Sequence, residues 1–295
     1  MLLIVNPTSR RASSAEASAL REFHAAGVTC DVQRTARAGH AVALARQCIA
    51  GERPDAVFTL GGDGTAMEVV GALSGLDLPV GILPGGTANQ LARFLKTPLG
   101  IPAAVRALLG GSVARLDLGR LANGRRFALT TGFGMDAAMI AKASVRAKRL
   151  LGVAAYVWSG TRALLANARI QVRASVDGRI YERECAVAMI VNVGSFFAGR
   201  LQAGPGVRAD DGLLDLCLYS ARTPIEGAAV LRRCFAGDFR PQPNMLFARG
   251  VSIHLETFPP SPAEADGELL APGSLHATVE PLAAQLLQVP LRDRN

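Results

Sequence analysis

The stretch Val57-Phe58-Thr59-Leu60-Gly61-Gly62-Asp63-Gly64-Thr65 decides how this chain is read. An apolar run enters a turn holding three glycines, and from Thr65 to Leu73 apolar residues recur at helical spacing, with Glu68 in the first turn. A continuous apolar run suits a strand covered on both faces, and the change of period marks a helix. The same succession repeats on either side. Leu2 to Val5, Val28 to Val32 and Val80 to Leu83 are further apolar runs, while Ser14 to Ala26 and His40 to Ala50 are further helical patterns. Alternating strands and helices predict an α/β unit around a parallel sheet. Its strand-to-helix turns emerge on one edge, where open α/β sheets take ligands.

Three of these turns carry chemistry. Glycines in Gly61-Gly62-Asp63-Gly64 let backbone N–H groups approach phosphate oxygens, and the following helix N-terminus adds partial positive charge. Pro84-Gly85-Gly86-Thr87-Ala88-Asn89 is a second such turn, with Arg93 beyond it, and Asn6-Pro7-Thr8-Ser9 a third. Read singly, the first is also an ordinary turn, and the third an ordinary connection with Ser13 or Ser14 as helix cap. Two glycine-rich turns on one edge favour a shared anion pocket. The segment is neither a Walker A loop, lacking Gly-Lys-Ser/Thr, nor the dinucleotide fingerprint.

From about Arg115 the period becomes two. Ile170, Val172, Ala174 and Val176 alternate with polar residues, Asp177-Gly178 is a hairpin signal, and a second strand is predicted to run toward Val193. Leu214, Leu216 and Leu218 alternate likewise, as do Val251, Ile253 and Leu255. This half is therefore expected to be mainly antiparallel β, with Ala137 to Ala168 reading as helical.

Composition narrows the function classes. At 295 residues and 49% hydrophobic, the chain can bury two cores. No apolar run approaches the ~20 residues that span a bilayer. Met-Leu-Leu-Ile-Val is too short for a signal peptide and reads as a first strand. Five scattered cysteines without C-x-x-C spacing suggest neither disulfide framework nor zinc, which fits a cytoplasmic setting. The net charge of +8 suits nucleic acid, an anionic membrane or phosphorylated substrates. With aromatics at 5% and no nucleic-acid signature, nucleic acid is set aside.

Asn6-Pro7-x-Ser9, Gly61-Gly62-Asp63-Gly64-Thr65-x-x-Glu68 and Leu83-Pro84-x-Gly86-Thr87-x-Asn89-x-x-Ala92-Arg93 resemble successive signatures of the diacylglycerol kinase catalytic domain family, which includes bacterial lipid kinases and sphingosine kinases. Gly132-Phe133-Gly134-x-Asp136-Ala137, Asp210-Asp211-Gly212-x-Leu214-Asp215 and Asp266-Gly267-Glu268 continue the resemblance in order, over nearly the whole chain. It implies an ATP-dependent lipid kinase of two domains. Residues 1–118 would form a nucleotide-binding α/β domain related to those of NAD kinases and 6-phosphofructokinases. Residues 119–295 would form a β-sandwich lipid-substrate domain, with the final segment returning to the first.

The resemblance also assigns roles. ATP would be held by Asn6, Pro7, Thr8, Ser9 and Arg10, by Thr35, by Gly61, Gly62, Asp63, Gly64, Thr65 and Glu68, and by Gly86, Thr87 and Asn89. Magnesium, Mg2+, would be bound by Asp211 and the main-chain carbonyls of Arg208 and Leu213, a donor set suited to a hard cation. An unactivated alcohol attacking phosphorus needs a proton acceptor. The resemblance puts Glu268 first in that role, within the catalytic segment begun by Asp266, and keeps Asp63 as the alternative or as a nucleotide or metal-water contact. Arg10 stands where a glycine commonly ends the first motif, and Gln90 where an acidic residue is usual.

The implied partners are ATP and a membrane lipid such as diacylglycerol or a sphingoid base, reached from the cytoplasmic side. Lys142, Arg146 and Arg149, near Leu151, Val157 and Trp158, suit either an anionic membrane surface or a solvated basic face over a core tryptophan. An NAD kinase-like enzyme and a silent nucleotide-binding regulator remain as alternatives, and the oligomeric state, a homodimer included, is left open.

Overall fold

The computed structural model describes residues 1–8, 12–51, 53–134, 169–196 and 199–289. Ser9, Arg10, Asp136 and the Ala137 to Ala168 stretch with its basic residues lie outside them. The chain divides into one unit of Met1–Leu116 with Leu282–Asn295 and another of Asp117–Pro281.

The first unit alternates strand and helix: β1 (Leu2–Val5), α1 (Ala12–Ala25), β2 (Asp31–Arg34), α2 (His40–Ala50), β3 (Val57–Gly61), α3 (Asp63–Leu73), β4 (Val80–Pro84), α4 (Gln90–Phe94) and α5 (Ile101–Leu109), with β5 (Ser112–Leu121) leading out. The strands lie in the order β2-β1-β3-β4, all parallel, with Leu2 beside Asp31 and Val57, and Val57 beside Val80. Every residue of β1, β3 and β4 is buried, as a sheet covered by helices on both faces demands. One core layer packs Leu3, Phe58, Leu60 and Leu83 against Phe23 and Val105, with the rings of Phe23 and Phe58 edge to face at 4.9 Å.

The second unit is antiparallel: β6 (Arg126–Phe127), β7 (Thr130–Phe133), β8 (Ile170–Val176), β9 (Arg179–Cys185), β10 (Val187–Val191), the pair β11 (Ser195–Phe196) and β12 (Leu201–Gln202), β13 (Leu214–Tyr219), α6 (Pro224–Ala236), β14 (Met245–Gly250), β15 (Ser252–Phe258), β16 (Ala263–Ala265), β17 (Glu268–Leu270) and β18 (Leu275–Gln288). One sheet has the order β14-β13-β10-β7-β16-β17, and facing it run β18, β15, β8 and β9. Phe127, Phe133, Val172, Ile190, Leu214, Leu216 and Ile253 fill the space between, which makes this a β-sandwich. The outer face of the six-stranded sheet is covered by α6 through Val230 and Cys234.

Asp177 and Gly178, at φ 47° and 86°, form the two-residue hairpin turn that their sequence predicts. The strand beyond does not run on to Val193. It breaks at Ala186, so that β9 pairs with β8 and β10 passes to the other sheet. Burial changes there from alternating to continuous. The last strand is also shared: Leu275 to Thr278 pair with β15, and Leu286 pairs with Val80 of β4 in the first unit. All five cysteines are free. Burial raises each thiol, to about 11 for Cys30 and Cys234 and about 12 for Cys185.

Candidate active site

The strand-to-helix turns of the first unit are fastened to one another by side chains. Asn6, after β1, donates from Nδ2 to Thr65 Oγ1 at 3.0 Å, and its Oδ1 accepts from the Thr8 backbone N–H and hydroxyl at 3.0 and 2.7 Å. Pro7 and Thr8 form the exposed turn that follows. Glu68, on α3, accepts from Gly39 N at 2.9 Å and Ala41 N at 3.1 Å. Gly39, the N-cap of α2, has no side chain to do this, so Glu68 satisfies the orphan donors of a neighbouring helix and faces its positive end. Thr35, buried at the end of β2, donates its N–H to Val5 O at 2.9 Å, and His40 Nδ1 accepts from Ala36 N at 2.9 Å.

Asp63 and Asn89 fasten the second glycine turn. Asp63 opens α3, yet its Oδ1 accepts from Leu91 N at 3.2 Å, and the N–H groups of Asn89 and Gln90 also reach the carboxylate. Burial pushes this carboxyl above the usual range, and the backbone donors pull it back. Asn89, in the left-handed region at φ 49°, closes its own turn by accepting from Gly86 N at 2.9 Å and donating to Gly86 O at 2.8 Å. Thr87 lies within that turn, and Gly64 is the second residue of α3.

The glycines divide into two kinds. A Cβ on Gly86 would stand 2.5 Å from Gly62 Cα, and one on Gly85 would stand 2.9 Å from Gly61 N, so the two turns lie backbone against backbone. A Cβ on Gly61 would meet Thr65 Cβ at 2.8 Å. On Gly62, by contrast, a Cβ would find nothing nearer than Gly86 Cα at 3.7 Å, and its φ of −88° is open to any residue. Packing accounts for Gly61, Gly85 and Gly86 and leaves Gly62 free to vary.

In the second unit Asp266 occupies the β16–β17 turn at φ 46°. Its carboxylate accepts from Ala128 N at 2.8 Å, Leu129 N at 2.9 Å and Thr130 N at 3.0 Å. Glu268, exposed at the start of β17, meets Arg125 Nη2 at 2.9 Å. Asp266 thus holds the turn, and Glu268 is the carboxylate that stands open. Glu264, two residues before Asp266, is 2% exposed; its Oε2 accepts from Gly267 N at 2.7 Å, and its Oε1 is buried without a partner. Burial, with Asp266 adding to it, pushes this carboxyl up to about 8.

Asp211 lies in the turn before β13, its Oδ1 accepting from Leu213 N at 3.2 Å and its Oδ2 from Arg249 Nη2 at 2.5 Å. Arg249 Nε also reaches Asp215 Oδ1 at 2.9 Å, and Gly212 N donates to the buried Asp117 at 2.7 Å. Arg208 pairs with Asp210 at 3.0 Å. Burial pushes the Asp215 carboxyl up to about 6, with Asp211 adding to the rise. Two carboxylates sharing one guanidinium leave residual negative charge, and carboxylate oxygens suit a hard cation. Among the described residues no cluster of three or more Asp, Glu, His or Cys side chains could hold a metal ion.

Sequence reading missed Arg125, Arg249, Asp117 and Glu264. Arg249 meets Asp215 as a cross-strand neighbour of β14 and β13, and Arg125 meets Glu268 across 143 residues, so neither has a local signal.

The diacylglycerol kinase catalytic domain family matches residues 1–121, and the YegS C-terminal NAD kinase beta sandwich-like domain matches residues 130–288. The chain is 31% identical over 224 residues to an uncharacterized protein of Synechocystis sp., covering 75% of this chain and 52% of that one, about half its length. It is 27% identical to the diacylglycerol kinase of Bacillus subtilis strain 168, over 90% of this chain and 88% of that one, and 25% identical to that of Staphylococcus carnosus strain TM300, over 90% and 87%. A solved chain described as a diacylglycerol kinase of Bacillus anthracis strain Sterne superposes with a TM-score of 0.75 at 21% identity, over 98% of this chain and 96% of that one. The chain belongs to the diacylglycerol kinase catalytic domain family, with a YegS-type C-terminal domain.

Proposed function

We propose that the chain transfers the γ-phosphate of ATP to a hydroxyl of a membrane lipid, with diacylglycerol and sphingoid bases as the class of acceptor. The observation that carries this reading is the fastened set of turns around Gly62, a glycine whose missing side chain packing does not require, unlike Gly61, Gly85 and Gly86. Bare backbone at the start of α3 suits phosphate oxygens. Asn6, Glu68, Asp63 and Asn89 act mainly by holding these turns in place, and Thr8, Thr35, Thr65 and Thr87 add hydroxyls around them.

Glu268 takes the proton of the lipid hydroxyl as its oxygen attacks the γ-phosphorus and ADP leaves. Asp63, turned toward backbone donors, serves the turn rather than the proton transfer. Asp211 with the carbonyls of Arg208 and Leu213 would hold magnesium, which when bound would neutralise the excess charge beside Asp215. Residues 1–118, joined by the returning final segment, supply the nucleotide site, and the rest of 119–295 the lipid side.

The test is transfer of labelled phosphate from ATP to lipid alcohols in mixed micelles, with NAD as a soluble comparator. Labelling of a lipid supports the reading, and labelling of NAD alone refutes it. Glu268→Gln is expected to lower turnover roughly 10²- to 10⁴-fold while ATP binding is retained. Undiminished turnover would remove Glu268 as the base.

A further inference from the structure

Among the described helices, α6 alone carries large apolar side chains in open solvent, Ile225 at 82% exposure and Phe235 at 53%. They share one face with Ala228 and Arg232, while Gly227, Val230 and Cys234 on the opposite face are buried. Single exposed apolar residues are ordinary. These two differ in their surroundings. Arg222, just before the helix, and Arg232, between the two, make no hydrogen bond or ion pair through their guanidinium groups within the described residues. Arg233 and Arg240 share the single carboxylate of Asp238, at 3.1 and 2.9 Å, so positive charge is in excess here as well.

Beside the first turn of α6 opens a cavity of about 470 Å³ lined by Arg169, Arg183, Arg222, Ser220, Gln242 and Asn244. Two carboxylates border it and are already engaged: Glu184 lies 3.7 Å from Arg169, and Glu226 Oε2 accepts from Arg222 N at 2.7 Å. The helix N-terminus is itself capped by Thr223, Arg169 is paired with Glu184, and Arg183 Nη1 donates to Pro243 O at 2.7 Å, so among the described residues the uncommitted guanidinium at the cavity is that of Arg222. Asn244 Oδ1 is buried without a partner, an acceptor suited to a hydroxyl donor. Guanidinium groups suit a phosphodiester.

We infer that the outer face of α6 and this cavity form the surface on which the unit rests against an anionic phospholipid bilayer, with Ile225 and Phe235 entering the acyl boundary and one phospholipid head group seated among the arginines. Amphipathic helices bind in this way, and anionic lipids draw basic residues to the surface. A second copy of the chain fits less well, since pairing two such faces brings arginine against arginine.

The experiment is flotation of the whole chain with vesicles of phosphatidylcholine alone and of phosphatidylcholine mixed with phosphatidylglycerol. Binding to the mixed vesicles is expected to be about tenfold the stronger. The paired substitutions Ile225→Ser and Phe235→Ser, at solvent-exposed positions, are expected to abolish most of it. Arg222→Gln with Arg232→Gln is expected to weaken it and reduce its salt dependence. Undiminished binding in both variants, or equal binding to both vesicles, overturns the inference. So does lipid-free self-association that the serine pair abolishes, which would assign the face to a second copy. Phosphotransfer enters none of these readouts, so they stand apart from the kinase test.

Discussion

Glu264 shows what a single side chain contributes at this site. Burial and the neighbouring Asp266 raise its carboxyl to about 8, against the pull of Gly267 N–H, Arg125 and Thr130. The folded state therefore holds a proton that the unfolded chain releases near the ordinary glutamate value. The stability linked to that proton is whole below the unfolded pKa and lost as pH rises through about 8. Glu264→Gln, uncharged throughout, is expected to flatten the decline, which in the unsubstituted protein amounts to roughly 1–3 kcal/mol across the alkaline half of the window. Urea midpoints taken from slightly acid to alkaline pH check this, and identical slopes for both proteins would show that Glu264 is already ionised when folded. The residue was not legible in advance. An acid in the proline- and alanine-rich stretch from Pro259 to Pro272 reads as solvated loop, and only its place in β16, opposite Gly132 of β7, goes with its burial. Asp266 and Glu268 were legible because they belong to a short motif, although the motif does not reveal that one binds backbone while the other stands open.

Among the elements, the strand-turn-helix units were the most readable, since each is encoded within about twenty residues by period and turn chemistry. What lies between units was not. The bond from Glu68 to the start of α2 and that from Asp63 to Leu91 cross 27 to 29 positions, and the close approach of Gly62 and Gly86 depends on β3 and β4 being neighbours. The two glycines that look alike in sequence are therefore expected to behave differently. Gly86→Ala forces a methyl to 2.5 Å from backbone and is expected to cost about 2–4 kcal/mol of stability. Gly62→Ala is expected to change stability by no more than about 0.5 kcal/mol, while weakening binding of a nucleoside triphosphate. Thermal unfolding and nucleotide titration of both variants decide it; equal destabilisation would mean that packing explains both. The break between β9 and β10 likewise belongs to the sandwich, because no residue at Ala186 announces a change of sheet.

At the scale of the molecule, the first unit is assembled from both ends of the described chain. Leu286, buried beside Val80, and Leu287, packed on the core of Leu3 and Phe58, arrive only with the last strand. A chain ending at Pro281 is expected to lose at least about 3 kcal/mol from the first unit through this lost burial. Calorimetry of the shortened and whole chains tests it, and an unchanged melting profile would mean that β4 does not depend on this neighbour. No helix among the described residues is long and apolar enough to cross a membrane. The thiols described above bear on how such a molecule can be watched. Alkylating reagents react with the thiolate, and burial holds all five native cysteines in the protonated form near neutral pH. A cysteine introduced at Ala228, on the solvent side of α6, would then take up a fluorophore far faster than the rest, giving a one-colour depth gauge on an otherwise unlabelled chain.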